Sequence, residues 1–361
     1  MNMKRKVAIL LHGLGANGID TLYANLAEQW DQNQYDITYF IAVDPDARQF
    51  WDERVAAAGI TVVKLHDLDK GRLKKFPATL YHSLKQYGPF DAIHINMDML
   101  SGVCALIAKF AGVKTRIIHA HRGSSDMPAN PAKRILKQLY LTTMKSLMRS
   151  FSTHRIGCSD VAGNYFFGMG NYQLVYNGIN IDNYLVNRNS TDAGAKFVAV
   201  GRLTPPKNPD KMVEIFSQIH KRIPNATLSW LGDGQMRAEI EALIEKLGLT
   251  DVVKLMGVRS DVNIFLRNAD YYLLPSRYEG LSLALAEAQA AGLVCFVSDT
   301  CSRLSDCGLC RFIPLSDSAE AWAKQICDFI DSGEKMQLDM ERLQKYSITT
   351  TARTIEEIYR N

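Results

Sequence analysis

Two glutamates eight residues apart, Glu279 and Glu287 in the run EGLSLALAE, carry the strongest chemical signal in the chain. The separation is just over two helical turns. It puts Glu279 in the loop before a helix and Glu287 on the helix face turned back toward the same side. The amides of Gly280, Leu281 and Ser282 would then face an anion at the helix N-terminus, where the dipole favours negative charge. Carboxylates cannot bind phosphate, but they accept hydrogen bonds from sugar or ribose hydroxyls. Read as structure alone, the same pair is two solvated glutamates on an amphipathic helix.

A second constellation, GRLTPPKN, sets Arg202 and Lys207 in one turn after a strand-like run. Arg forks across a diphosphate and Lys adds a point charge. A nucleoside diphosphate gains negative charge as it leaves a sugar, so fixed cations there would favour the transition state over the ground state. As structure alone these are two ordinary surface charges. A third signal is Gly13, Gly15 and Gly18, which spell G-x-G-x-x-G directly after the first strand-like run, with Asp44 near the end of the next. That is most of a dinucleotide fingerprint, and it is compatible with any diphosphate or with a ligand-free tight turn. His119 and His121 in IIHAHRG, and His12 in the first turn, are lone histidines whose ordinary reading is structural. Cys301, Cys307 and Cys310 form a candidate metal set, but structural zinc generally uses paired short spacings, so no metal is expected.

These residues need a frame. At 361 residues the chain exceeds the size of one hydrophobic core, and two domains of about 150 to 200 residues facing a cleft are the natural expectation. Hydrophobic residues make up 47% and charged ones 22%, which excludes disordered and fibrous classes. The net charge of +4 is too mild to argue for nucleic acid. Seven cysteines and no leader-like segment point to reduced thiols and a cytoplasmic protein, and no run is long enough to span a bilayer.

Strand-like and helix-like runs alternate from KVAILLH onward, pause at VNRNSTDAGA (186–195), and restart at KFVAVGRL. The pattern predicts two doubly wound α/β domains, with ligand turns at the carboxyl ends of parallel strands. The expected divisions are 1–185 and 196–344, with a last helix at 345–361 that is a candidate to pack back on the first domain. The stretch from Pro131 to Arg155 carries Lys133, Arg134, Lys137, Lys145, Arg149 and Arg155 without an acidic residue, and Ile135, Leu136, Leu139, Leu147 and Met148 recur at helical spacing. Such a helix suits a peripheral hold on anionic lipid or a packed helix with a solvated basic face. Lys70, Arg72, Lys74 and Lys75 would extend the basic surface.

Taken together, GLGANGID, IIHAHRG, VYNGINIDNY, VGRLTPPKN, LGDG and above all EGLSLALAEAQAAG resemble the retaining GT-B glycosyltransferases of family 4, especially the capsular and exopolysaccharide type. The likeness spans nearly the whole chain. It implies a donor-binding second domain in which Glu279 contacts the donor sugar, Glu287 the ribose, and Arg202 with Lys207 the diphosphate. Gly15 would approach the phosphates from the first domain, and His121, or else His119, would lie by the donor sugar. Where relatives show two adjacent glycines and an acidic residue, this chain has Gly18, Ile19 and Asp20. The resemblance further implies a nucleotide sugar, with uridine favoured, a glycan or lipid-linked acceptor, no required metal, and retention of anomeric configuration without an enzymic nucleophile. The competing readings are an NAD-dependent oxidoreductase, a sugar-nucleotide epimerase and a non-enzymatic sugar-nucleotide-binding protein.

Overall fold

The computed structural model describes residues 4–66, 74–124, 127–186 and 195–360. Most of the expected linker (187–194), and Lys70 and Arg72 of the basic patch, lie outside them. The chain forms two compact units, Met1–Gly178 with Ile348–Asn361, and Ile179–Ser347.

In the first unit the strands are β1 (Arg5–Leu11), β2 (Tyr35–Ile41), β3 (Thr61–Lys64), β4 (Ala92–Ile95), β5 (Thr115–Ala120), β6 (His154–Gly157) and β7 (Gln173–Leu174). They form one parallel sheet in the order β3-β2-β1-β4-β5-β6-β7. The near-continuous apolar run of β1 is what a strand covered on both faces requires. Val7, Ile9 and Leu11 enter one core and Ala8 and Leu10 the other, as a period of two dictates. The second unit repeats the plan with β8 (Lys196–Val200), β9 (Thr227–Leu231), β10 (Val253–Leu255), β11 (Tyr271–Leu274), β12 (Val294–Ser298) and β13 (Cys310–Ile313), in the parallel order β10-β9-β8-β11-β12-β13. Phe197 and Ala199 face one core, Val198 the other. Each sheet therefore reverses its strand order once, between β1 and β4 and between β8 and β11. Loops leaving those strands diverge there and open a crevice.

The division falls at Gly178, earlier than the expected 185. Ile179 donates its amide to the Tyr346 carbonyl at 2.7 Å and bridges Ser347, and Tyr184 packs on the core that holds Val198, so this segment belongs to the second unit. The last helix, Ile348–Arg360, buries Ile348, Ala352, Ile355, Ile358 and Tyr359 along one stripe in the first unit's core. Its Tyr359 ring meets Trp30 and Tyr35 at 5.9 Å. All seven cysteines are buried free thiols, and no group of metal-ligating side chains occurs among the described residues.

The helix Pro131–Phe151 is pinned at one end only. Its later turns cross the helix Ser101–Phe110 at Gly102, where an added Cβ would lie 2.8 Å from Leu147 Cβ and 2.9 Å from the Met144 carbonyl. Gly102→Val should therefore force the two helices apart and lower stability by about 1–3 kcal/mol, read as a fall in urea midpoint with unchanged slope.

Candidate active site

In the second unit, three contacts knit the turn after β8 to the loop after β11. Lys207 forms an ion pair with the Glu279 carboxylate, Asn208 donates its side-chain amide to the Pro275 carbonyl at 3.0 Å, and the Arg277 amide donates to the Pro206 carbonyl at 2.8 Å. Asn208 is buried in the left-handed conformation at φ 57°, which Asn tolerates better than most residues. Ser276 Oγ donates to the same Glu279 oxygen that Lys207 holds, at 3.1 Å. The LGDG turn after β9 lies directly on the GRL turn. A Cβ at Gly232 would sit 2.0 Å from the Gly201 carbonyl oxygen, and one at Gly234 2.4 Å from that of Leu203, so only glycine fits either place.

Glu287 occupies the interior of the short helix Leu283–Ala290, with 9% of its surface exposed. Burial pushes its carboxyl up to about 7, and the Tyr184 hydroxyl bonded to it works in the opposite direction. The Tyr272 phenol is raised well above its usual value, by burial and then by the Glu279, Cys295 and Glu287 side chains. Both glutamates thus stand near the carboxyl end of β11.

The ammonium of Lys207 is already paired with Glu279, while the Arg202 side chain is exposed and has no ion pair among the described residues. The Ser282 amide is not available, because it donates to Ser305 Oγ at 3.0 Å, and Ser282 itself caps the helix by accepting from the Leu285 amide. The amides of Gly280 and Leu281 carry no hydrogen bond among the described residues. Ser276, Asn208 and Tyr184 escaped the sequence reading. Only Asn208, next to Lys207 in the KN pair, offered a signal.

In the first unit the Gly-rich turn is filled from within. Asp20 Oδ2 accepts from the Gly15 amide at 2.6 Å and from Asn17 Nδ2 at 2.7 Å, while Asn17 caps the helix Gly18–Ala27. A carboxylate on the amide of Gly15 holds the position a phosphate oxygen would need, and its charge would repel one. The Gly15 amide expected to meet phosphate is thus taken by Asp20 in this structure, and the dinucleotide reading built on Gly13, Gly15, Gly18 and Asp44 weakens with it. Burial pushes Asp20 up to about 6, with the Gly15 and Asn17 hydrogen bonds opposing. His12 is exposed at the end of β1.

Beside the crevice between β1 and β4 stands a buried polar network. His121, just past β5, places Nε2 2.9 Å from Asn96 Oδ1, and Tyr23 donates to the same oxygen at 2.8 Å. His94 Nε2 lies 3.3 Å from both Tyr23 Oη and His119 Nδ1, and His94 Nδ1 lies 2.8 Å from Tyr359 Oη. His119 is only 1% exposed, under His121 with ring centroids 4.0 Å apart, so it supports that ring and is out of reach of a ligand. Burial holds His94 down at about 3 and His121 at about 4, the Asn177 side chain opposing the latter. Both are neutral at pH 7. His94, Asn96, Tyr23 and Tyr359 were not among the residues singled out from sequence, since nothing in AIHIN or TIEEIYR marks a shared network.

Two parallel sheets, each with a crevice at its strand-order reversal, define the GT-B fold. The solved structure of Anabaena Alr3699/HepE in complex with UDP and glucose is similar over 98% of both chains, with a TM-score of 0.77 at 17% identity. Residues 182–346, almost the whole second unit, match the family Glycosyl transferases group 1. The chain is 29% identical over 343 residues to the glycosyltransferase EpsF of Bacillus subtilis, covering 90% of this chain and 87% of that one. It is 24% identical over 298 residues to the UDP-Gal:alpha-D-GlcNAc-diphosphoundecaprenol alpha-1,3-galactosyltransferase of Escherichia coli, covering 78% and 76%. The second unit therefore matches the Glycosyl transferases group 1 family, and the relatives that match over most of the chain are glycosyltransferases.

Glu287 also makes the stability of the second unit depend on pH. Its folded value of about 7 lies above the ordinary 4.5, so the native state binds the extra proton between those limits. The resulting stability is complete below about 4.5 and is lost as the pH rises through about 7, at most about 3 kcal/mol in all. Glu287→Gln should flatten this decline, visible as urea midpoints that fall less between pH 5 and 8 than those of the wild type.

Proposed function

We propose that this enzyme transfers a hexose or N-acetylhexosamine from a UDP-sugar to a glycan or lipid-linked acceptor during cell-surface polysaccharide synthesis. The observation that carries the reading is the joining of Lys207 and Glu279 at the crevice between β8 and β11, which sets a cation and a carboxylate side by side. A sugar joined to a diphosphate offers phosphate oxygens to the cation and hydroxyls to the carboxylate. Arg202, exposed and without an ion pair among the described residues, would close on the diphosphate, and Gly280 and Leu281 would offer it their amides. Glu279 would accept from hydroxyls of the donor sugar and Glu287 from the ribose.

The reaction would proceed with retention, as in family 4, through an oxocarbenium-like transition state. The departing diphosphate takes the acceptor's proton on the same face, and Arg202 and Lys207 meet its growing charge. Uridine is supported by the HepE complex with UDP and by the UDP-Gal donor named for the Escherichia coli relative, and a lipid-linked acceptor by that relative's diphosphoundecaprenol substrate. The diphosphate charge is met by side chains, so no metal would be required. Activity should persist in EDTA, and loss restored by manganese would contradict this.

The acceptor reading places the protein in the cytoplasm, on the inner face of the membrane. Support comes from the helix Pro131–Phe151, whose first turns leave Ile135 72%, Leu136 69% and Leu139 63% exposed beside Lys133, Arg134 and Lys137. Apolar side chains flanked by cations suit an anionic bilayer surface. No helix among the described residues is long and apolar enough to cross it. The protein should float with anionic vesicles and not with neutral ones, and Ile135→Asn with Leu139→Asn should abolish flotation.

Millimolar UDP should raise the melting temperature by more than GDP, ADP or NAD, since ligand that binds only the folded state adds RT ln(1 + [L]/Kd). Arg202→Ala and Lys207→Ala should each remove most of that shift. A shift with NAD alone would restore the oxidoreductase reading, and conversion of a UDP-sugar to its epimer without acceptor would favour the epimerase.

A further inference from the structure

The orientation of the Asn96 side chain in the first unit's buried network fixes the proton on His121. The Leu10 carbonyl, which can only accept, takes the Asn96 backbone amide at 2.9 Å and the Asn96 side-chain Nδ2 at 3.4 Å. That fixes which way the Asn96 amide faces, with Oδ1 toward Tyr23 and His121. Tyr23 donates its hydroxyl proton to Oδ1, and His94 Nε2 lies 3.3 Å from both the tyrosine oxygen and His119 Nδ1. Oδ1 of Asn96 has no proton to give, so the His121 nitrogen 2.9 Å away must carry one.

We infer that Asn96 is a positioning residue that holds neutral His121 as its Nε2–H tautomer, so that Nδ1 presents a lone pair to a ligand hydroxyl. His121 Nδ1 is buried with no hydrogen-bond partner, and Asn177 Oδ1, beside it, is likewise an unpartnered acceptor. Two acceptors side by side call for a donor, and a sugar O–H is one where a phosphate oxygen is not. This side of the site would therefore select a hydroxyl and reject an anion. The inference rests on the transferase reading for its ligand but not for its tautomer.

The test is nitrogen-15 NMR of the full chain labelled at histidine, at neutral pH, with the His121 signals assigned by their loss in His121→Gln. The wild type should show a protonated Nε2 and an unprotonated Nδ1. The Nδ1–H form, or an imidazolium, would overturn the inference. In Asn96→Leu the His121 signals should move toward a mixture of tautomers, and unchanged signals in a folded variant would also overturn it. Asn96→Asp, which keeps the size and the acceptor, should retain the Nε2–H signal. If the wild type binds UDP, Asn96→Leu should lower kcat for sugar transfer by about tenfold while UDP affinity stays within about twofold. Equal loss of UDP affinity would count against a role through His121. Absence of UDP binding in the wild type would remove the donor assignment and leave the tautomer result standing.

Discussion

The ion pair between Lys207 and Glu279 is the contact on which the second unit's site depends. It spans two strands that neighbour each other in the sheet but not in the sequence, β8 and β11, at the point where the strand order reverses. Parallel pairing alone brings their carboxyl ends together. The Asn208 and Arg277 hydrogen bonds then hold the two loops in register. Such a pair, largely buried and supported by Ser276, stabilises mainly by giving each charge a partner it could not do without. A diphosphate would enter a field already organised around one cation and one anion, with Arg202 as additional charge.

The first unit uses its own reversal differently. There the glycine-rich turn, which by sequence looks most like a phosphate cradle, is closed by Asp20, and the neighbouring strand ends support neutral histidines. One unit thus concentrates fixed charge and the other hydrogen-bonding groups kept uncharged by burial. Both follow from low-dielectric surroundings. Burial raises Glu287 and Asp20 and lowers His94 and His121, in each case disfavouring the charged form. The helix that ends the chain completes the second arrangement, since Tyr359 reaches His94 from the far end of the sequence.

Much of this was legible in the residues. Apolar runs alternating with amphipathic ones gave both parallel sheets, because strands covered on two faces cannot be polar on either. The spacing of Glu279 and Glu287 correctly put one in a loop and the other on a helix. What stayed hidden depends on pairing between distant segments. Nothing local tells that Lys207 will meet Glu279, that Ser305 will take the Ser282 amide, or that Ile179 will join Tyr346 and move the domain boundary forward. The glycine spacing reports a tight turn, while the contact of Asp20 with the Gly15 amide lies in a side chain that spacing does not reveal.

The central claim is that the diphosphate binds on the turns after β8 and β11 and not on the glycine-rich turn after β1. Photolabelling with an azido-UDP-sugar, followed by peptide mapping, tests this directly. The account predicts UDP-protected labelling confined to peptides from the second unit that contain residues 201–208 or 275–287. UDP-protected labelling of the peptide that carries Gly13, Gly15 and Gly18 would contradict it.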